Sequence, residues 1–266
     1  MGRTEEWDMP EILEVEYFRR AAERAVGRRI RALSHADPLV VEDGVRDVVA
    51  DRRVITTRRH GKVLTLDLGA RTRVEASLDL HFGMAGRIVV DGRSPIDELV
   101  YAASADDRWI RFGLEFDRGS LVISDPRRFA RVRPTRDGEG LGPDVWSVDR
   151  ATFRRRLADR RAPVKAVLLD QSVVAGLGNM LVDEILWRAA IDPRRRVADL
   201  NDDDVARIHT ITRRVLDRLD RRGGSHTGDL SVEHRQLGRV CPQDGQPLSR
   251  ATVGGRTTFW CPRHQK

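Results

Sequence analysis

Lysine is almost missing from this chain: Lys62, Lys165 and Lys266 are the only three among 48 Lys+Arg residues. Arginine carries positive charge nearly everywhere else, so an interior lysine is a departure that asks for a reason. Cysteine is equally scarce, and Cys241 and Cys261 alone cannot build a disulfide scaffold. Aromatic residues make up 5% of the 266 positions. No run of 18 apolar residues occurs, which excludes a transmembrane helix. The opening stretch MGRTEEWDMP lacks the basic-then-apolar layout of a secretion signal. A cytoplasmic, soluble chain with no membrane partner is therefore expected.

What is present is basic charge, unevenly placed. Residues 1–50 hold 8 Arg against 11 Asp+Glu, so they carry −3, and the formal net charge of +7 leaves +10 for the remainder. Such a surface favours a polyanionic partner, and nucleic acid is the commonest. A soluble enzyme with solvated arginines would have the same composition. At 33% charged and 40% hydrophobic, the chain can bury a core of one large or two ordinary domains.

The periodicity predicts one amphipathic helix over 10–32, with Ile12, Val15, Phe18, Ala22 and Val26 on one face. Short β-type runs follow at 54–57, 63–68, 73–80, 87–90, 109–114, 121–124 and 129–133, punctuated by turns such as Asp91-Gly92. That order suggests a β-sandwich or barrel with a helix packed on it. The loop 135–144, with Asp137-Gly138 and Gly140, marks a boundary. Beyond it the pattern is helical. Pro163 fits the first turn of one helix, a second spans 180–190, and a third has Asn201 as N-cap, Asp202 to Asp204 in its first turn and Gly223-Gly224 past its end. From 240 onward, two Cys-containing turns bracket a hairpin around Gly254-Gly255. The fold class expected is α+β.

Six segments can carry chemistry. In Met9-Pro10-Glu11 through Glu16, Pro10 reads as a helix N1 proline and the glutamates suit the positive end of the helix. Lys62 lies in the turn between two strands. His81-Phe82-Gly83-Met84-Ala85-Gly86 frames an apolar side chain with glycines, although core filling would also explain Met84. Asp125-Pro126-Arg127-Arg128-Phe129 interleaves cations with an aromatic, a combination suited to phosphate contact and base wedging. A surface turn with one buried Phe would look the same. In the segment 169–179, Gly176-Leu177-Gly178-Asn179 joins two helices, and a helix N-terminus beside an amide can cradle phosphate. Last, Cys241-x-x-Asp244 and Cys261-x-x-His264 have the spacing of two metal knuckles, with Arg256 near the hairpin tip between them. A zinc-free hairpin with two buried thiols is the alternative.

Taken in order, these segments resemble the formamidopyrimidine-DNA glycosylase / endonuclease VIII family of bacterial base-excision repair enzymes, over residues 9–265. The amino-terminal signature is of the formamidopyrimidine kind. The resemblance implies an N-terminal β-sandwich flanked by helices (9–140), a helix–two-turn–helix domain (147–232) and a small C-terminal β-hairpin finger (236–266). It also implies double-stranded DNA with damaged or abasic nucleotides as partner, a flipped base, and a monomeric, nucleoid-associated enzyme. Catalytic roles fall to Pro10 as the Schiff-base nucleophile, Glu11 as acid/base group and Lys62 as assisting cation. DNA contacts fall to His81, Met84, Arg127, Phe129, Lys165, Asn179 and Arg256. Zinc would be held by Cys241, Asp244, Cys261 and His264.

Three departures stand out. Pro10 is internal, and a peptide-bonded proline nitrogen is a tertiary amide with a delocalised lone pair. Residues 1–8 therefore read as an over-extended start or a disordered extension, with Met9 removed to expose Pro10. If they stay, a non-catalytic binder of damaged DNA or a monofunctional glycosylase remains. The segment 223–239 is short for the family, and Asp244 and His264 stand where cysteines are usual.

Overall fold

Alternation builds the first unit. Leu64, Leu66 and Leu68 face inward on one strand and Leu78 and Leu80 on the next, while Thr65, Asp67, Ser77 and Asp79 take the other face. The computed structural model describes residues 10–96, 107–136, 140–230 and 232–266. These form two compact units, one ending before residue 140 and one running from Gly140 to Lys266. The boundary signal Asp137-Gly138 lies outside the described residues, as do residues 1–9.

The first unit holds α1 (Ile12–Ala22), β1 (Ile30–Ala36), α2 (Val45–Val49), β2 (Arg53–His60), β3 (Val63–Gly69), β4 (Ala76–His81), β5 (Arg87–Val90), β6 (Ile110–Phe116), β7 (Ser120–Ser124) and β8 (Arg131–Pro134). Two four-stranded sheets, ordered β1-β6-β7-β5 and β2-β3-β4-β8, share one apolar core that α1 joins through Val15, Phe18 and Ala22. All pairings are antiparallel. Sandwich and flanking helix are thus as expected, but the single helix over 10–32 is not. α1 stops at Ala22, a short 3-10 turn follows, Val26 is exposed, and β1 begins at Ile30. Gly27, at φ +82°, ends the turn, and its N–H bonds to Val54 O at 2.7 Å. Pairing of β1 with β6 overrides the helical periodicity of its residues.

The second unit holds α3 (Arg150–Leu157), α4 (Val164–Leu169), α5 (Asn179–Arg188), α6 (Asp202–Arg222) and the hairpin β9 (Ser249–Val253) and β10 (Arg256–Trp260). Pro163 is the N-cap of α4. α6 starts and stops where its sequence signals lie: Asn201 and Asp204 close a capping box, and Gly223 takes φ +109°. No helix among the described residues is long and apolar enough to cross a membrane.

Glu16 ties α1 to the sheet. Its carboxylate accepts from Arg19 at 2.8 Å, Arg20 at 3.1 Å and Arg59 of β2 at 3.3 Å. Burial works against its charge, but the Arg19 bond and the three cations hold its pKa below the ordinary 4.5. A depressed carboxylate contributes stability above its unfolded pKa and loses it as pH falls through the folded value. Glu16→Gln should therefore cost about 1–2 kcal/mol in urea unfolding at pH 7. The difference from wild type should shrink below the ordinary 4.5.

Candidate active site and nucleic-acid interface

The expected residues fall on both units. In the first, Glu11 rather than Pro10 marks the entry to α1. Glu11 has an extended backbone (φ −96°, ψ −174°), and Glu11 and Glu14 form a capping box in which Glu11 N donates to Glu14 Oε2 at 2.9 Å. Pro10 is therefore not an N1 proline; it precedes the cap, where helix geometry makes no use of its fixed φ. It is buried, and Glu11 beside it is 2% exposed. Helix capping therefore does not account for a proline at this position.

Gly61 and Lys62 form the two-residue turn joining β2 and β3, with Gly61 at φ +55°. Lys62 is half-buried at the hairpin tip. His81 lies opposite Val63 on β4. Although His81 is exposed as a residue, loss of water around its ring, with Lys62, Arg133 and Arg131 nearby, pushes its pKa down to about 4. The imidazole is neutral at pH 7. Nδ1 accepts from Gly83 N at 3.1 Å, so Nε2 carries the proton and is the donor.

Two loops meet next to it. Gly83 takes φ +59°, and a Cβ there would lie 2.6 Å from Phe129 Cβ. Only glycine lets the 82–86 turn close on the 125–130 turn. Met84 is half-buried in the first loop, whereas Phe129 in the second is 44% exposed, with the Arg127 guanidinium 5.0 Å from its ring centroid. The surface-turn reading with a buried Phe is thus excluded. Asp125, with no exposed surface, accepts from Arg127 N at 2.9 Å and Ala130 N at 2.7 Å. Its place before Pro126 was the available signal for a turn-forming acceptor.

In the second unit, Asn179 opens α5 after an extended Gly178. Its Nδ2 donates to Thr257 O at 3.1 Å, and its buried Oδ1 has no partner among the described residues. Gly254 and Gly255 both have positive φ and make the hairpin turn; a Cβ on Gly254 would meet Ala166 of α4 at 2.9 Å. Arg256 leaves this turn exposed. Lys165, expected at phosphate, is corrected: it has no exposed surface, and Nζ donates to Asp183 Oδ1 at 2.6 Å and Thr257 O at 3.2 Å. Lys165 and Asn179 both hold the carbonyl next to Arg256. Asp183 also accepts from Arg235 at 2.5 Å and Phe259 N at 3.4 Å. Its spacing of four from Asn179 was the sequence signal for one shared helix face. Gln171, also without an expected role, bonds Leu169 O, Leu177 O and Gly176 N and so sets the turn into α5.

The short segment after α6 is tied down. Asp229 accepts from Arg188, Arg218 and Arg222, and Leu230 N donates to Glu184 at 2.7 Å. Past it, the ligand atoms of Cys241, Asp244, Cys261 and His264 lie within 4.8 Å of one another and could hold a metal ion. Cys241 Sγ is 3.7 Å from His264 Nδ1, which is 3.3 Å from Asp244 Oδ2; Cys261 Sγ is 3.4 Å from the same oxygen. The Gln246 backbone N–H, with Cys261, Cys241 and His264, holds the Asp244 carboxyl down to about 2. Outside this ring, Trp187 Nε1 donates to Cys241 Sγ at 3.3 Å, and His264 Nε2 lies 3.2 Å from Trp187 O, which leaves Nδ1 as the nitrogen facing the other three residues.

With this geometry established, the comparisons with known proteins are consistent along the chain. Residues 9–132 match the formamidopyrimidine-DNA glycosylase N-terminal domain, and residues 140–230 match that protein's H2TH domain. A formamidopyrimidine-DNA glycosylase of Acidovorax sp. (strain JS42) is 34% identical, covering 97% of this chain and 100% of the relative. One from Streptococcus mutans is 31% identical at the same coverage. Among solved structures, the MutM (Fpg) protein of Thermus thermophilus has a TM-score of 0.79 at 29% identity, covering 96% of this chain and 98% of that one. Lactococcus lactis Fpg in complex with abasic-site DNA has a TM-score of 0.80 at 25% identity, covering 97% and 100%. Two domain matches in order, with relatives covered over their full length, show that the chain belongs to the formamidopyrimidine-DNA glycosylase family.

Proposed function

We propose that this chain, acting as a monomer on double-stranded DNA with oxidised bases or abasic sites, works as a bifunctional DNA glycosylase and AP lyase of base excision repair. The observation that carries this reading is Pro10, set immediately before the cap of α1 with Glu11 buried beside it. As a free secondary amine, Pro10 attacks C1′. The bond from C1′ to the base breaks, its electron pair leaves on the base with a proton, and ring opening gives an iminium. Loss of a C2′ proton expels the 3′ phosphate, and a second elimination expels the 5′ phosphate. Glu11 moves protons at this centre, and Lys62, at a hairpin tip, assists with its positive charge.

This chemistry needs the nitrogen free of a peptide bond. The domain match beginning at residue 9, and the full-length fit of relatives to 97% of the chain, support a working enzyme that starts at Pro10 after loss of Met9. Borohydride should then trap a covalent adduct between the Pro10-start protein and abasic-site duplex, and Pro10→Gly should reduce turnover sharply. Base release without an adduct would instead mean a monofunctional glycosylase, and binding without cleavage a damage-binding protein.

Toward DNA, His81 offers its Nε2–H, Met84, Arg127 and Phe129 fill the gap left by the flipped nucleotide, and Asn179 and Arg256 bind phosphates. Lys165 acts beneath them as a buried support. Arg256→Ala should weaken binding to all sequences and flatten the salt slope by about one unit. Lys165→Ala should show first as lost stability, about 3 kcal/mol, because Asp183 loses one of its buried cations. Equal Tm values for the two variants would contradict this division.

The four-residue cluster at the hairpin base fits zinc. Bond lengths near 2.3 Å to sulfur and 2.0–2.1 Å to nitrogen or oxygen place tetrahedral ligand atoms about 3.3–3.8 Å apart. The spacings of 3.3, 3.4 and 3.7 Å support that geometry. Zinc here would clamp the finger and take no part in chemistry. Metal analysis should give one zinc per chain, lost in Cys261→Ser, and its removal should change Trp187 fluorescence.

A further inference from the structure

Arg128 stands between Arg127 and Phe129 but is engaged elsewhere. Its backbone is left-handed, at φ +57°, a conformation non-glycine residues rarely hold without support. Its Nε lies 2.8 Å from Asp37 Oδ2. Asp37 directly follows β1, and its side chain is 11% exposed. Oδ1 accepts from Leu39 N at 3.1 Å, which fixes the turn that presents the carboxylate. Arg111 of β6 lies 3.6 Å from Oδ2 and donates through Nε to Asp125 O at 2.9 Å.

The 125–130 turn is thereby held at two levels. Asp125 binds the backbone N–H groups of Arg127 and Ala130, which fixes both shoulders. The apex residue, Arg128, is held by its side chain, through the ion pair to Asp37. If residue 128 relaxed to negative φ, the flanking peptide planes would turn, and with them the directions in which Arg127 and Phe129 leave the backbone.

We propose that Asp37 is a positioning residue for lesion recognition: it holds Arg128 in its left-handed conformation and so aims the Arg127–Phe129 pair at the gap in the duplex. The inference rests on the wedge role proposed for those two residues. It also assigns Arg128 to Asp37 rather than to phosphate.

The test uses the full chain and a duplex with a tetrahydrofuran abasic analogue beside 2-aminopurine, whose fluorescence rises when a side chain enters the stack. Asp37→Asn keeps the side-chain size and the acceptor for Leu39 N but removes the charge. It should reduce the fluorescence response about tenfold at a given protein concentration, the scale of one lost charge-assisted hydrogen bond. Asp37→Glu should restore part of it. Removing a negative charge cannot lower non-specific affinity for DNA, so undamaged duplex should bind at least as tightly. In a Phe129→Ala background, Asp37→Asn should add no further loss. A full response from Asp37→Asn, or additive losses in that background, would overturn the proposal. The readout needs no cleavage, so a protein that nicks no DNA yet shows Asp37-dependent insertion would sink the proposed catalysis and leave this inference standing.

Discussion

One carboxylate without any exposed surface organises the second unit. Burying Asp183 is tolerable only if its charge is matched and its oxygens are bonded. Lys165 from α4, Arg235 from the segment after α6, and Phe259 N from β10 meet those demands. Removing Lys165 or Arg235 takes a charged bond from a buried carboxylate oxygen, so elements far apart in sequence hold one register. Because Lys165 and Asn179 share the carbonyl of Thr257, that register extends to Arg256. The exposed cation owes its place to buried ones.

The first unit repeats the device at smaller scale. Asp125 has lost all contact with water and accepts from two backbone N–H groups, which shapes the turn carrying Arg127 and Phe129. Gly83 presses on that turn from the neighbouring loop. In both units an acidic residue with no proposed contact to DNA fixes the geometry of cations and apolar side chains proposed to touch it. This suits a basic protein: carboxylates inside the scaffold do not weaken attraction for phosphate at the surface as exposed ones would.

Much of this was legible beforehand. The apolar runs of β3 and β4 and the caps of α6 are local signals that hold in the structure, whereas the reading of Pro10 as an N1 proline does not. The helix expected over 10–32 does not hold either, because the residues of β1 gain more from pairing with β6 than from continuing a helix. Six motifs supplied the candidate site residues, but side-chain direction was beyond them. Spacing cannot tell a lysine that reaches outward from one that turns into a core, and Lys165 was read the wrong way for that reason. Asp183 and Asp37 went unassigned because their ionic partners are distant in sequence: Lys165 and Arg235 for the first, and Arg128, 91 positions away, for the second.

The scarcity of lysine has a consequence for the aldehyde that an abasic site exposes. Free amines condense with aldehydes, whereas guanidinium groups stay protonated and non-nucleophilic at neutral pH. A DNA-binding surface built from lysines would form imines with the lesion wherever it touched it, most of them unproductive. Here Lys165 is sealed inside the scaffold, which leaves Lys62 and Lys266 as the side-chain amines within reach of solvent. An arginine-built surface holds the same phosphates and is silent toward the aldehyde, so covalent capture is left to the amine placed for it.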